Sequence, residues 1–237
     1  AARVSVSESI LYPLEYNAVN VGGTVSLMEA MRDVGVGRVV LISSGAVYGD
    51  NQDQPVKESA LPSPHSPYAV SKLAAEYYVN TIGNLWGIDT VSLRVFNAYG
   101  PGQHIPPSHP PVIPNFLRQG LRGGSLVVHG DGQQTRDYIY VDDVVRSMVA
   151  AATAPDINQN VINIGSGKET SVREIAEMTQ KLTGDNAELL YTPRSDSGVS
   201  RLCADITLAK KKLKFTPKIK LQEGLEKTLS EDPRFKI

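Results

Sequence analysis

The chain has 237 residues, 41% hydrophobic and 21% charged, with a formal net charge of −1 at pH 7. That length gives one large domain or two small ones an ample core, and the near-neutral charge excludes the basic footprint of a nucleic-acid or anionic-membrane binder. The single Cys203 excludes an internal disulfide framework, histidines 65, 104, 109 and 129 lack metal-ligand spacing, and no apolar run reaches the length of a membrane span.

Residues 14–35 have helical periodicity, with Val19, Leu27, Met28 and Met31 among the apolar positions. Residues 38–43 are a short, β-branched apolar run after a Gly-containing turn, which predicts a buried parallel strand, and Ser44 falls at its end. Pro62, Pro64 and Pro67 lead into a helix over about 67–87, broken at Gly87. Residues 90–94 read as the next strand. Pro and Gly then cluster from 101 to 114, where the chain is expected to leave the first domain.

A helix over 112–122 and a strand over 125–129 follow, with Asp131-Gly132 as a tight-turn signal. Asp142 and Asp143 open a helix to about 153, as acidic residues favour a helix N-terminus. Residues 161–164 are expected to return to the main sheet as a strand. Ser171 and Glu174 have capping-box spacing before a helix to Leu182. Residues 188–192 read as a strand, 205–213 as a short helix and 221–230 as a terminal helix. Lysines 210–212 read as a solvated helix face, and Cys203, among apolar neighbours, as a buried structural thiol. No signal peptide is visible, so a reducing cytoplasm is the expected compartment. Strands alternating with helices indicate an α/β fold.

The chemistry concentrates at Tyr68-Ala69-Val70-Ser71-Lys72. Four residues apart on a helix, a phenol and an ammonium share one face. A nearby Lys⁺ favours phenolate, so the Tyr68 pKa is expected to fall below its usual value of about 10. A tyrosine so tuned takes a proton from a sugar hydroxyl, or returns it, while a hydride moves to or from a nicotinamide. Ser44 adds a third group at the carboxyl end of a parallel strand, where open α/β sheets bind ligands.

With Ser43-Ser44-Gly45-Ala46-Val47-Tyr48-Gly49 ahead of it, this element resembles the extended short-chain dehydrogenase/reductase family of nucleotide-sugar epimerases and dehydratases. Further segments are similar in the family's order: Asn20-Val21-Gly22-Gly23-Thr24, Leu93-Arg94-Val95-Phe96-Asn97-Ala98-Tyr99-Gly100-Pro101-Gly102, the run from Gly130 through Arg136 and Asp137 to Asp143, and Asn163-Ile164-Gly165-Ser166-Gly167. The resemblance implies a doubly wound, Rossmann-type parallel sheet with a smaller α/β substrate-binding lobe. Residues 1–96 and 136–165 would belong to the first, 97–135 and 166–237 to the second.

It also implies NAD as cofactor and a nucleotide-diphosphate sugar as substrate. Ser44, Tyr68 and Lys72 become the catalytic set. Ala1, Ala2, Ser43, Tyr68, Lys72 and Val95 are expected at the cofactor. Ser44, Phe96, Asn97, Val112, His129, Arg136, Arg194 and Arg201 are expected at the substrate, with Arg136 on its diphosphate and at least one of Arg194 and Arg201 on the nucleotide. Tyr48 and Tyr99 are expected as packing or pocket walls and Asn20 as a structural residue. Relatives in this family pair through the two helices at 14–35 and 67–87, so a homodimer is expected.

The sequence departs from the resemblance in one respect. The family's opening strand, Gly-x-x-Gly-x-x-Gly turn and helix, which hold the cofactor pyrophosphate, have no counterpart here, and Ala1-Ala2 looks like the tail of the family's fourth strand. An N-terminally truncated fold is therefore expected, with an unpaired sheet edge. On the reaction, dehydratases of the family carry Asp-Glu after the strand-end serine or threonine, and decarboxylases a Glu nearby. Gly45 and Ala46 occupy those places. A 4-epimerase of the UDP-glucose/UDP-galactose kind is the reading that fits. The alternatives are a dehydratase or decarboxylase, or a non-catalytic fragment that only binds nucleotide sugar or a partner.

Overall fold

A computed structural model describes residues 2–106, 109–184, 187–193 and 199–236. The chain opens with an extended segment and two short helices, α1 (Val6–Leu11) and α2 (Pro13–Tyr16); a π-helical turn (Asn17–Gly22) joins the latter to α3 (Gly23–Val34). The expected strand tail at the N-terminus is not formed. Ala2 is exposed and in no strand, Ala1 lies outside the described residues, and the Arg3 backbone N–H donates to Asn20 Oδ1 at 2.9 Å instead of to a neighbouring strand.

β1 (Arg38–Ser44) ends in a 3-10 turn (Gly45–Tyr48), and α4 (Pro67–Trp86) follows with Ser66 as its N-cap and Pro67 in its first turn. Gly87, at φ 69°, closes α4 in the left-handed conformation that a glycine adopts without steric cost. β2 (Asp89–Val95) then runs parallel to β1, with Ser44 opposite Val95. β3 (Asn97–Tyr99), α5 (Val112–Leu121), β4 (Leu126–His129), β5 (Thr135–Arg136) and β6 (Tyr138–Tyr140) come next. The chain continues through α6 (Val141–Thr153), β7 (Asn160–Ile164), β8 (Thr170–Ser171), α7 (Val172–Leu182), β9 (Leu189–Thr192), α8 (Thr207–Leu213) and α9 (Leu221–Glu231). Ser171 and Glu174 form the expected capping box.

The main sheet has the order β1–β2–β7, all parallel. It is wound on both faces because its side chains alternate. Val39 and Leu41 of β1 pack with Met28 and Met31 of α3 and Val79 of α4. Val40 and Ile42 face the other way, onto a core of Leu93, Ile162 and Ile164 with Val144 of α6 and Ala209 of α8. Fully burying a side chain such as Leu93, which is 0% exposed, stabilises the fold by about 1.5–3 kcal/mol. Among the described residues β1 is paired on one side only, and five of its seven residues are half-buried where β2 has six of seven buried.

A second core gathers Phe116 and Leu117 of α5, Leu126 and Val128 of β4, Ile175 of α7, Leu225 of α9 and the tyrosines 99, 138 and 140. Three two-stranded ladders border it: β3–β6 and β4–β9, both parallel, and the antiparallel β5–β8. β6 contributes to both cores, with Ile139 facing the first and Tyr138 and Tyr140 the second.

Candidate active site

The carboxyl ends of β1 and β2 carry Ser43, Ser44, Val95 and Phe96, and α4 lays its N-terminal half across them. Helical spacing brings Tyr68 and Lys72 to the covered face; both are buried, at 8% and 6% exposure. Ser44 Oγ accepts the Ala46 backbone N–H at 3.2 Å, which caps the 3-10 turn and leaves the serine hydroxyl proton for another partner. That partner is Tyr68, whose phenol is eased downward by hydrogen bonding to Ser44. The Tyr16 ring meets the Tyr68 ring edge-on, with centroids 6.4 Å apart.

The net effect on Tyr68 runs opposite to the expectation. Burial pushes its phenol above the ordinary 10.0, outweighing Ser44, and the proximity of Tyr16 adds to the rise. Burial acts on the Lys72 ammonium as well and lowers its own pKa, with Glu76 one turn further along α4 opposing the fall. Spacing on a helix sets which face two groups share, whereas the cost of desolvating each depends on what covers that face. Lys72 makes no hydrogen bond to any described residue, although it is almost wholly buried. An ammonium with no acceptor of its own, beside a phenol at a strand end, suits a ligand rich in hydroxyl oxygens, such as a ribose.

Beneath these groups lies a pair that spacing alone did not reveal. Glu76 and Arg94 are 2% and 5% exposed and form a two-pronged bond, Nε to Oε1 at 3.0 Å and Nη2 to Oε2 at 2.7 Å. Ser43 Oγ also donates to Glu76 Oε1. The Tyr48 ring lies over the Arg94 guanidinium, 4.7 Å from its centroid, and the Tyr48 hydroxyl donates to Asn163 Oδ1 on β7 at 2.7 Å. The signal was present in the sequence: Glu76 is one helical turn beyond Lys72, and Arg94 interrupts the otherwise uncharged run from Thr90 to Tyr99. Removing one partner of such a buried pair costs about 3–5 kcal/mol.

Asn20, expected as a structural residue, is buried, and its bonds reach the site. Its Nδ2 donates to Ser71 Oγ at 2.9 Å, and Ser71 Oγ donates to the Tyr68 carbonyl at 2.7 Å. The π-helical turn is thereby tied to α4 between Tyr68 and Lys72. Gly45 makes a close approach to Phe96: a Cβ there would fall 3.0 Å from the ring, so a larger residue requires the ring to shift.

The expected substrate residues fall into two groups. Phe96 is buried beside the strand ends, and Asn97, exposed, follows it, its backbone N–H bonded to the Asp137 carbonyl at 3.0 Å. Arg136 is half-buried, with Nη1 donating to the Thr135 carbonyl and Nη2 to the Val199 carbonyl, both at 2.7 Å. Asp137 anchors this arginine's backbone. Fully buried, it accepts from Ser166 N at 2.6 Å, Gly167 N at 2.9 Å and Ala204 N at 3.1 Å, while burial pushes its carboxyl upward.

Val112 and His129 belong to the second core's elements. Val112 is half-buried at the start of α5; His129 is exposed, its Nδ1 2.9 Å from Thr192 Oγ1 across the β4–β9 ladder. Arg201 is exposed and forks Glu169, at 3.0 and 2.5 Å, holding that carboxyl below its ordinary range. Arg194 lies outside the described residues. Cys203 is a buried thiol pushed up to about 12 by burial and the neighbouring Asp137. Among the described residues no group of three His, Cys, Asp or Glu side chains is placed to hold a metal ion.

Comparison with known proteins finds nucleotide-sugar epimerases, with decarboxylase and dehydratase relatives beside them. The UDP-glucose 4-epimerase of Mycolicibacterium smegmatis is 38% identical over 230 residues, which cover 97% of this chain and 73% of that one. The crystal structure of the Thermotoga maritima UDP-glucose 4-epimerase with UDP-glucose superposes with a TM-score of 0.92 at 35% identity, covering 97% of this chain and 74% of that one. MoeE5 in complex with UDP-glucose and NAD superposes at 0.88 with 38% identity, covering 97% and 76%. Residues 1–165 match the model of the NAD dependent epimerase/dehydratase family, and this chain belongs to that family.

Proposed function

We propose that the protein interconverts the C4 epimers of a UDP-hexose, of the UDP-glucose/UDP-galactose kind, through a transient 4-keto sugar. The observation that carries this reading is the Ser44–Tyr68–Lys72 cluster at the strand ends with no unengaged carboxylate beside it among the described residues. Expelling water or carbon dioxide from the sugar calls for further acid–base groups. Here Glu76 is clamped by Arg94 and Ser43, Glu58 accepts the Asn163 backbone N–H at 2.9 Å, and Gly45 and Ala46 carry no functional group. Epimerisation needs none of these.

The site fits the nicotinamide end of the cofactor that the family uses. Lys72 offers an unshared buried ammonium and Tyr68 a phenol, with Ser43 and Val95 beside them and Ala2 further off at the chain's start; the described residues contain no Gly-rich turn after a strand for the pyrophosphate. NAD, when bound, supplies the acceptor and later the donor of a hydride, and a positive ring charge. Tyr68 Oη takes the O4 proton as the C4–H bond breaks, and Ser44 donates a hydrogen bond to the resulting carbonyl oxygen. After the keto sugar has turned, Tyr68 would return the proton to O4, the oxygen from which it took it. C4 is inverted with no net oxidation. Since burial alone favours the phenol, Tyr68 accepts a proton only next to positive charge, and Lys72 is the chain's own contribution to it.

In this reading Arg136 grips the diphosphate, to which its planar fork is matched. Phe96, Asn97, Val112 and His129 line the rest, with Arg194 or Arg201 on the nucleotide. The cofactor is held by 1–96 with 136–165 and the sugar nucleotide by the remainder. The protein works in the cytoplasm as a homodimer through α2–α3 and α4. Support for that pairing comes from exposed Leu14, Leu27 and Val34 on the first and Tyr77, Tyr78 and Leu85 on the second.

The test is to incubate the purified protein with UDP-galactose and NAD and to resolve the products. UDP-glucose formed without net NADH, and the reverse reaction from UDP-glucose, are expected. A product lighter by water or carbon dioxide, or no conversion, overturns the reading.

A further inference from the structure

One carboxylate touches every element that carries the site. Glu76 sits on α4 one turn beyond Lys72, accepts from Ser43 on β1, and holds both prongs of Arg94 from β2 at 3.0 and 2.7 Å. Arg94 is sandwiched further by Tyr48, which is itself fixed to Asn163 on β7. An ion pair buried this deeply is not required for stability, because a well-packed apolar pair of similar volume does as well or better. An apolar pair has neither a negative charge near Lys72 nor an acceptor for Ser43.

Among the described residues the titratable and charged groups around this face are Tyr68 and Glu76 on α4, Tyr16 at the end of α2 with Arg3 over its ring and Glu8 at its hydroxyl, Arg94 from β2, Tyr48 from the 3-10 turn, and Glu58, whose charge reaches Tyr48 and Arg94. Of these Glu76 is the carboxylate on the Lys72 helix face, and it is the group that favours the charged form of Lys72 against burial. We propose that Glu76, clamped by Arg94, is a positioning residue for the reaction: it supplies the counter-charge of Lys72 and ties that turn of α4 to the Ser43–Ser44 end of β1. The proposal rests on the assignment of Ser44, Tyr68 and Lys72 as the reacting site. Glu76 acts through these groups and does not touch the sugar.

Two variants test it. Glu76→Gln keeps the shape and removes the charge; Glu76→Gln with Arg94→Gln removes both charges, so that no unpaired ion is left buried. The first readout needs neither cofactor nor turnover: the 13Cε resonance of Lys72 in lysine-labelled protein, assigned with Lys72→Arg, is followed against pH. In Glu76→Gln its midpoint is expected to fall by about one pH unit, a tenfold change in proton affinity, and in the double variant, which also loses the opposing Arg94 charge, by less. The second readout is turnover, with kcat expected to drop about tenfold, KM to stay within about twofold, and the alkaline limb of the kcat profile to move to lower pH. An unmoved Lys72 midpoint in folded Glu76→Gln protein, or a double variant with unchanged kcat, overturns the proposal. So does a failure of both variants to fold, which would make the pair purely structural. If the parent protein epimerises nothing, the functional reading falls, and the Lys72 titration still decides whether Glu76 supplies its counter-charge.

Discussion

At the strand ends, Ser44, Tyr68 and Lys72 come from two elements, all three are buried, and the ammonium has no acceptor among the described residues. Around β5 and β4, Arg136, Arg201 and His129 are half-buried or exposed, and each is already bonded to a carbonyl, a carboxylate or a hydroxyl of the chain. In the first region burial dominates, raising Tyr68 and lowering Lys72 away from their solution values. In the second, solvent screens the charges and hydrogen bonds set the shifts, as between Arg201 and Glu169. Charge that is costly to keep is suited to a group that must exchange a proton. Charge kept cheaply near water is suited to gripping an anion that arrives from water.

That contrast is sharpest in mutant kinetics. Tyr68→Phe removes only the hydroxyl that exchanges the proton, and turnover is expected to fall by about 10²–10⁴-fold with KM little changed. Initial rates with UDP-galactose check it, and near-normal turnover would erase the distinction between the two regions. Arg136→Lys keeps the charge and loses the planar fork. KM is expected to rise by about tenfold while kcat stays within about threefold. A loss confined to kcat would move Arg136 into the reacting cluster.

The smallest effect is on stability at high pH, and it probes burial in both cores. Tyr138 is pushed up to about 12, and burial raises Tyr48, Tyr68 and Tyr99 as well. Unfolded tyrosines ionise near 10 while these stay protonated in the native state, so the stabilisation is present below about pH 10 and is lost as pH rises towards 12. Unfolding midpoints in urea should fall across that window, with tyrosinate absorbance appearing together with the loss of structure. Full tyrosine ionisation near pH 10 in protein that remains folded would show that the phenols are not buried as described.

Much of the fold was legible along the chain. β1, α4 and β2 each lie within one or two residues of their expected limits, since a β-branched apolar run, a Ser66–Pro67 start and a Gly87 stop are local signals. The capping box at Ser171 and Glu174 was read in the same way. The start of the chain was not. Residues 6–11 form α1 and Ala2 is in no strand, because the Arg3 backbone is satisfied by Asn20, a partner 17 positions away. Nor does helical periodicity distinguish the π-helical turn at 17–22 from the α-helix around it, although that turn carries the Asn20 amide to Ser71.

The residue types and their order were enough to determine the α/β class, the strand-end position of Ser44 and the shared face of Tyr68 and Lys72, because periodicity and turn chemistry act over a few residues. Tertiary structure alone decided what surrounds that face. Glu76, Arg94 and Tyr48 meet only once α4 is laid on β1 and β2, and desolvation, which reversed the expected direction for Tyr68, is a property of the packed interior rather than of any segment.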